Sequence, residues 1–285
     1  MIKFGPSGND VMFYDMGYND SVDAPKFIKD MGLDCYEYPC GRGVAISSEK
    51  ALKIAEMAKK YDIEMSVHAP YFINFASNEQ ERIDKSISYV MQSLKLVKLF
   101  GGKRVVVHTG SNGKLSREQA MENAKNNLAK LASVIHKEGY DNYLICLETM
   151  GKYSQIGNVE EIVELCKIDK CFIPTFDFGH INCIMQGALT EKQHFLNIFN
   201  YAIEQLGIDK IKNVHIHFSQ IEFSAKGELK HTVIDNGKYG PNFEPLAQAI
   251  DSLGLEPVII CESKDVMAQD ALKLKKMYKT ICKKQ

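Results

Sequence analysis

The sequence predicts a single-domain α/β fold, a (β/α)₈ TIM barrel that spans residues 1–285. Eight short apolar runs alternate with longer stretches whose apolar residues recur at helical spacing. No low-complexity segment and no long linker divides the chain. The rival α/β architecture is an open, doubly wound sheet. It is disfavoured because the stretch Gly5 to Gly8 fits neither the dinucleotide fingerprint nor the P-loop.

The candidate strands recur along the whole chain. They are residues 2–5, 35–38, 64–67, 104–107, 143–147, 171–176, 213–216 and 257–261. Each is short and mostly apolar, as expected of strands in a parallel sheet whose two faces are both covered. Strands that alternate with helices eight times favour a parallel sheet that closes on itself.

The stretches between these strands predict amphipathic helices, and several begin with a capping pattern. In this pattern Ser, Thr or Asn precedes Gln or Glu by three residues, so that the two side chains bind free backbone N–H groups. The pairs are Ser77 with Gln80, Ser116 with Gln119, Asn158 with Glu161, and Thr190 with Gln193. Glycines in LFGG and HKEG indicate two helix ends.

The composition favours a cytoplasmic protein with reduced thiols, and a monomer is the simplest expectation. No apolar run approaches the roughly 18 residues that cross a membrane. The N-terminal sequence MIKFGPSGND lacks the basic and apolar segments of a secretory signal. The eight cysteines form no CxxC pair, and several lie in apolar runs, where free cysteine behaves as a small buried hydrophobe.

Six successive candidate strands end in a histidine or a carboxylate. The residues are His68, His108, Glu148, Asp177 with His180, His217, and Glu262. The carboxyl ends of barrel strands converge on one face, where the following loops build the active site. One such residue alone would be interpreted as structural, but six strands in series indicate a metal site.

The long segment after the seventh strand adds Glu228 and His231, which makes five histidines and four carboxylates. One zinc ion takes about four ligands, so this set fits two or three ions with a bridging carboxylate. Imidazole and carboxylate without thiolate suit Zn, Mn or Fe. Such clusters hydrolyse phosphoesters. The net charge of −1 does not argue against a phosphodiester substrate, because bound cations would make the substrate face positive.

The motifs HAPYFIN, VVVHTGS, LETMGK, DFGH, HIHFS, GELKH and CES together resemble the endonuclease IV family of apurinic/apyrimidinic-site DNA repair enzymes. The resemblance runs from about Val67 to Ser263. It implies a xylose-isomerase-like barrel with three divalent metal ions. It also implies hydrolysis of the phosphodiester 5′ to an abasic site in double-stranded DNA.

The resemblance also assigns the ligands to three ions. It gives the first ion His68, His108 and Glu148, and the second ion the shared Glu148 with Asp177, His217 and Glu262. It gives the third ion His180, His231 and an acidic residue of the same loop, for which Glu228 is the candidate. Glu148 or Glu262 would orient the attacking hydroxide. The spacing Glu228-Leu-Lys-His231 departs from the family's Asp-x-His, so this loop must be shaped differently.

Four further residues have expected roles. Tyr71 matches the aromatic side chain that the family inserts into DNA at the lesion, and Phe72 would support it. The alternative for this pair is packing at the barrel rim. Arg42 is a candidate phosphate contact. His215 alternates with His217 in a strand, so both face the same side, and His215 is a candidate partner of a ligand.

Two other functions remain open from the residues. A sugar isomerase or epimerase on the same barrel would use one or two divalent ions to move a proton beside a carbonyl. A metal-dependent DNA-binding or scaffold protein would bind the lesion without turnover. The number of bound metal ions separates the nuclease from the isomerase.

Overall fold

The structure, a computed structural model, describes residues 1–282 and confirms the predicted barrel. Its eight parallel strands each overlap the run from which they were predicted. They are β1 (Lys3–Pro6), β2 (Cys35–Pro39), β3 (Glu64–His68), β4 (Arg104–Val107), β5 (Leu144–Glu148), β6 (Phe172–Asp177), β7 (His215–Phe218) and β10 (Val258–Cys261). Two more strands, β8 (Gln220–Ser224) and β9 (Gly227–Thr232), form a separate antiparallel hairpin.

The barrel strands follow one another in the order β1-β10-β7-β6-β5-β4-β3-β2. The two ends of this sheet meet through a parallel bridge between Ser7 and Glu37. Gly5 permits this approach, since a Cβ atom there would lie 1.8 Å from the carbonyl oxygen of Cys35. The absence of a side chain at Gly5 therefore lets β1 pack against β2.

Helices cover the outside of the barrel. They are α1 (Val11–Asp15), α2 (Ala24–Asp30), α3 (Ser48–Tyr61), α4 (Gln80–Leu99), α5 (Arg117–Lys137), α6 (Val159–Cys166), α7 (Phe178–Ile184), α8 (Lys192–Leu206), α9 (Ile208–Ile211), α10 (Phe243–Ser252) and α11 (Met267–Cys282), with a short 3-10 helix at Ser21–Asp23. Within residues 1–282, no helix combines the length and apolarity needed to cross a membrane.

Two of the four predicted capping pairs are confirmed. Ser116 and Asn158 both form complete capping boxes, at the starts of α5 and α6. The prediction was wrong for Ser77, because α4 begins only at Gln80 and the Ser77 hydroxyl accepts from the backbone N–H of Glu79 instead. It was also wrong for Thr190, because the residue that caps α8 is Glu191, which forms a capping box with His194.

The main apolar core lies between the barrel and its helices. Phe178, for example, packs its ring 5.2 Å from Phe195 and 5.6 Å from Phe199. A small separate cluster of Val106, Cys146 and Ile173 comes from inward-facing positions of neighbouring strands. All eight cysteines are free thiols, and seven of them are buried. Two residues beyond this cluster, the inward-facing side chains of the same strands are polar. The interior of the barrel is therefore charged toward its carboxyl end.

The β8–β9 hairpin was not predicted, although a functional role was expected for this long segment. The hairpin folds back over the end of β5. Gly227 bridges to Lys152, and the backbone N–H of Glu228 donates to the carbonyl of Gly151 at 2.8 Å. These backbone contacts fix where the side chains of β9 lie relative to the barrel.

Candidate metal centre

All nine side chains predicted as metal ligands lie at the carboxyl end of the barrel. Four lie at the last residue, or the last but one, of strands β3, β5, β6 and β7. Two directly follow β4 and β10, one lies in α7, and two lie in β9. In this order they are His68, Glu148, Asp177, His217, His108, Glu262, His180, Glu228 and His231. The structure brings them into three clusters, in each of which the ligating atoms lie within 4.8 Å of one another, and two of these clusters share Glu148. His68, His217 and Glu262 form a further group at the same spacing, which links those two clusters.

The first cluster contains His68, His108 and Glu148. Glu148 Oε2 lies 3.3 Å from His68 Nε2 and 2.9 Å from His108 Nε2. His68 Nδ1 lies 2.9 Å from the carbonyl of Ala69, which leaves Nε2 directed at the cluster. Two ligand atoms of a tetrahedral zinc ion, nitrogen or oxygen, each about 2.0 Å from it, lie about 3.3 Å apart. The spacing of this cluster therefore suits one ion.

The second cluster contains Glu148, Asp177, His217 and Glu262. His217 Nδ1 lies 3.3 Å from Glu148 Oε1 and 3.6 Å from Glu262 Oε2. The two oxygens of Glu148 thus point to different clusters, with Oε2 in the first and Oε1 in the second. This arrangement would let Glu148 serve both clusters.

The third cluster contains His180, Glu228 and His231. Glu228 lies 3.5 Å from His180 Nε2 through Oε2 and 3.9 Å from His231 Nε2 through Oε1. The other nitrogen of His231 contacts the hydroxyl of Ser219 at 2.8 Å. A Cβ atom on Gly151 would lie 2.7 Å from the ring of His180, so the residue beneath the cluster must stay small. Despite its different spacing, the hairpin brings Glu228 to the expected position.

Asp177 and His180 connect the second and third clusters. Asp177 Oδ1 accepts a 2.7 Å hydrogen bond from the backbone N–H of His180 and so caps α7. Asp177 Oδ2 is buried and accepts no hydrogen bond within residues 1–282. Glu148 Oε2 is also buried without an aligned hydrogen bond. Both oxygens instead lie within ion-pair distance of imidazoles, Asp177 Oδ2 3.3 Å from His180 Nδ1 and Glu148 Oε2 2.9 Å from His108 Nε2. Buried carboxylates that face imidazoles in this way fit divalent cations, which both groups can bind.

The negative charge of the centre changes the pKa values of its imidazoles. Burial lowers the pKa of His68, but the carboxylates of Glu148, Glu37 and Glu262 together outweigh burial and raise that pKa to about 9. For His180, burial is outweighed by Asp177 and Glu148, which raise the pKa to about 10. Burial raises the pKa of Asp177, because desolvation disfavours the charged carboxylate. The centre therefore favours cations, and a metal ion must displace protons from its imidazoles.

A cavity of about 440 Å³ lies above the three clusters. It is lined by His68, His108, Glu148, His180, Glu228, His231 and Glu262, together with Tyr71, Met150, Lys152 and Gln155 among others. Lys152 and Gln155 were not singled out in the sequence. Their positions in the loop after β5, a strand that ends in a predicted ligand, could have drawn attention to them.

Of the predicted DNA contacts, Tyr71 lines this cavity, and Phe72 and Arg42 lie next to it. The side chains of Tyr71 and Phe72 are 50% and 52% exposed, and their ring centroids are 4.5 Å apart. Arg42 is exposed in the loop after β2. The backbone N–H of Tyr71 donates to the carbonyl of Gly41 at 3.3 Å, so this loop adjoins the aromatic pair.

His215 lies in the barrel interior below the second cluster, as its alternation with His217 predicts. It does not contact the cavity. Its Nε2 instead lies 2.9 Å from Glu37 Oε2. Glu37 was missed in the sequence, although a carboxylate within the otherwise apolar strand CYEYP was a usable indication.

The chain matches the sequence model of the xylose isomerase-like TIM barrel family over residues 25–279. An uncharacterised protein of Methanocaldococcus jannaschii is 28% identical over 278 residues, which is 98% of this chain and 97% of that protein. A probable endonuclease 4 of Mycoplasma genitalium is 32% identical over 194 residues, which is 65% of this chain and 61% of that protein.

Two solved structures illustrate the shared fold. Endonuclease IV from Thermus thermophilus superposes with a TM-score of 0.72 at 18% identity, over 99% of this chain and 100% of that one. A D-tagatose 3-epimerase-like protein superposes with a TM-score of 0.71 at 23% identity, over 91% of this chain and 93% of that one. At these identities the superpositions establish the barrel and do not choose between the two activities.

Proposed function

The chain belongs to the xylose isomerase-like TIM barrel family, and we propose that it is a metal-dependent endonuclease that hydrolyses the phosphodiester 5′ to abasic sites in double-stranded DNA. The observation that carries this proposal is the grouping of the nine predicted ligands into three clusters beside one cavity, with Glu148 between the first two. The relatives described as probable endonuclease 4 support the same reaction class.

The donor set fits three divalent cations, with zinc first and manganese or iron as alternatives. When bound, such cations supply a hydroxide near neutral pH and neutralise the charge that develops on a phosphoryl group. The first cation would be held by His68, His108 and Glu148, and the second by Glu148, Asp177, His217 and Glu262. The third would be held by His180, Glu228 and His231.

Glu262 is better placed than Glu148 to orient the attacking water and accept its proton. The side chain of Glu262 is 17% exposed and lines the cavity, whereas that of Glu148 is 1% exposed. Both oxygens of Glu148 are in addition held among histidines of two clusters. Glu262 contacts His217 Nδ1 through Oε2 at 3.6 Å and faces the cavity, from which a water molecule would approach.

Tyr71 and Phe72 supply the recognition of DNA in this proposal. An exposed aromatic pair at the mouth of a cavity can stack on bases and fill the gap left by a missing base. The abasic sugar would then turn out of the duplex into the cavity, which an intact base pair cannot enter. Arg42, on the adjoining loop, would contact a backbone phosphate.

A sugar epimerase is the second candidate, and the second cluster is the observation that favours it. Two glutamates, an aspartate and a histidine would be enough to hold a single catalytic cation. That function, however, gives no role to the first and third clusters, which contain His68, His108, His180 and His231. The nuclease uses all nine side chains and is therefore the better account.

The test is incision of a duplex that contains one abasic analogue, by protein loaded separately with Zn, Mn or Fe. We expect cleavage 5′ to the analogue and loss of cleavage in Glu262→Gln with folding retained. Glu204→Gln, at an exposed glutamate of α8, is the matched control and should cleave like the wild type. Failure of all three loaded forms to cleave would refute the nuclease proposal. Monomeric state and cytoplasmic location remain predictions.

A further inference from the structure

Glu37 is a carboxylate enclosed in the barrel, directly below the second cluster. Its side chain is fully buried, and within residues 1–282 no lysine or arginine lies within ion-pair distance of it. Its strand neighbours are Ser66 in β3 and Ser7 at the end of β1. Burial of a carboxylate destabilises the folded state by several kcal/mol unless neighbouring groups pair with its charge. The groups that pair with Glu37 therefore indicate its role.

The partners of Glu37 are one hydroxyl and two imidazoles. Oε2 accepts a 2.8 Å hydrogen bond from the hydroxyl of Ser66 and lies 2.9 Å from His215 Nε2. Oε1 lies 2.9 Å from His217 Nε2, a short contact that is not aligned as a linear hydrogen bond. Neither Oε1 nor that Nε2 has another hydrogen-bonding partner within residues 1–282.

The two nitrogens of His217 therefore face different groups. Nε2 faces Glu37, and Nδ1 faces Glu148 and Glu262 in the second cluster. An imidazole that binds a metal through one nitrogen carries its single N–H on the other, and a carboxylate is a usual acceptor for that N–H. Glu37 provides this acceptor from inside the barrel.

We infer that Glu37 is a positioning residue that makes Nδ1 of His217 the atom that binds the second cation, with Ser66 and His215 holding Glu37 in place. The inference rests on cation binding in the proposed function, but not on the DNA reaction. Glu37 does not touch the cavity, so it acts only through His217.

The ligating atoms of Glu37, His215 and His217 are also close enough to suit a cation of their own. The hydrogen bonds argue against this alternative. Ser66 already donates to Glu37, and His217 would have to lose both of its ring protons to bind cations through both nitrogens. The two interpretations differ in the number of ions and in the nitrogen that is bound.

The test uses protein with ¹⁵N-labelled histidines loaded with ¹¹³Cd²⁺, so that spin coupling identifies the bound nitrogen. In the wild type we expect coupling of His217 through Nδ1 and a slowly exchanging proton on Nε2. In Glu37→Gln we expect zinc affinity at the second cluster to fall about 10–100-fold, the effect usual for a lost carboxylate partner of a ligand. Affinities of the first and third clusters should not change.

Glu204→Gln, at the exposed glutamate of α8, is the control and should keep coupling through Nδ1 and wild-type affinity at all three clusters. Ser66→Ala removes one donor to Glu37 but leaves its contact with His217, so it should keep coupling through Nδ1 and lose less affinity at the second cluster than Glu37→Gln does. Coupling through Nε2 in the wild type would overturn the inference even if Glu37→Gln did not fold. A fourth bound ion that Glu37→Gln alone removes would also overturn it. A wild type that binds no cation would instead refute the proposed function.

Discussion

Replacement of Glu148 by alanine tests whether one carboxylate serves two ions. Its Oε2 lies 2.9 Å from His108 Nε2 in the first cluster, and its Oε1 lies 3.3 Å from His217 Nδ1 in the second. The substitution leaves the first cluster with two protein ligands and the second with three. His231→Ala is the matched control, since it also leaves the third cluster with two ligands but keeps Glu148.

The ligand numbers set the size of the expected effect. Zinc sites in proteins use at least three protein ligands, so Glu148→Ala should lose the first ion and hold the second more weakly. We expect two ions per chain after dialysis against buffer. In a chelator titration both should leave as easily as ions with three protein ligands do in the wild type, because the second cluster falls from four ligands to three. His231→Ala should also contain two ions, but one of them should resist the chelator as strongly as the most tightly held ion of the wild type, because its second cluster keeps four ligands.

The measurement is elemental analysis of dialysed protein, with circular dichroism to establish that each variant is folded. Loss of one ion from Glu148→Ala, with the other two resisting the chelator as they do in the wild type, would contradict the reasoning. In that case Glu148 would be an ordinary ligand of one site, and the carboxylate bridge would be wrong.

Three further predictions concern the rim and the outer surface. Tyr71→Ala should reduce incision of abasic duplex strongly while metal content stays the same, because the ring stacks at the lesion. Equal incision rates for the variant and the wild type would exclude insertion of Tyr71 at the lesion. Arg42→Ala should weaken duplex binding and lower the slope of log affinity against log salt concentration by about 1, as titrations at several salt concentrations will show; an unchanged slope would exclude the phosphate contact. His136 lies 2.7 Å from Asp141 and 2.9 Å from Asp169, which raise its pKa. Its contribution to stability is therefore present below its unfolded pKa and is lost as pH rises through the folded pKa. The Tm deficit of His136→Gln should be larger at pH 6 than at pH 9, and a deficit independent of pH would contradict the pairing.

The barrel and most of the candidate metal centre could be predicted because both follow from the order of residues along single strands. A short apolar run predicts a strand, and the polar residue that ends it, such as His68 or Glu148, lies at the carboxyl end of that strand. In a barrel every carboxyl end meets on one face, so the ligands could be grouped without knowledge of distances. The bend that carries His180 to another cluster also follows from one local motif, DFGH.

The remaining features depend on contacts between distant segments. The β8–β9 hairpin is located by backbone hydrogen bonds to the loop after β5, and this pairing leaves no periodic pattern in the sequence. Glu37 stands 178 residues before His215, so nothing local relates the two. The capping interpretations of Ser77 and Thr190 failed because the same residue types also form turns ahead of a helix.

The central claim is that three divalent cations in one centre perform phosphodiester hydrolysis, and the most direct measurement combines metal analysis with incision in one sample. Wild-type protein should contain three ions per chain and should incise abasic duplex at a rate that falls as a chelator removes them. A protein with a single bound ion that leaves the abasic duplex intact would contradict this account and would favour the epimerase.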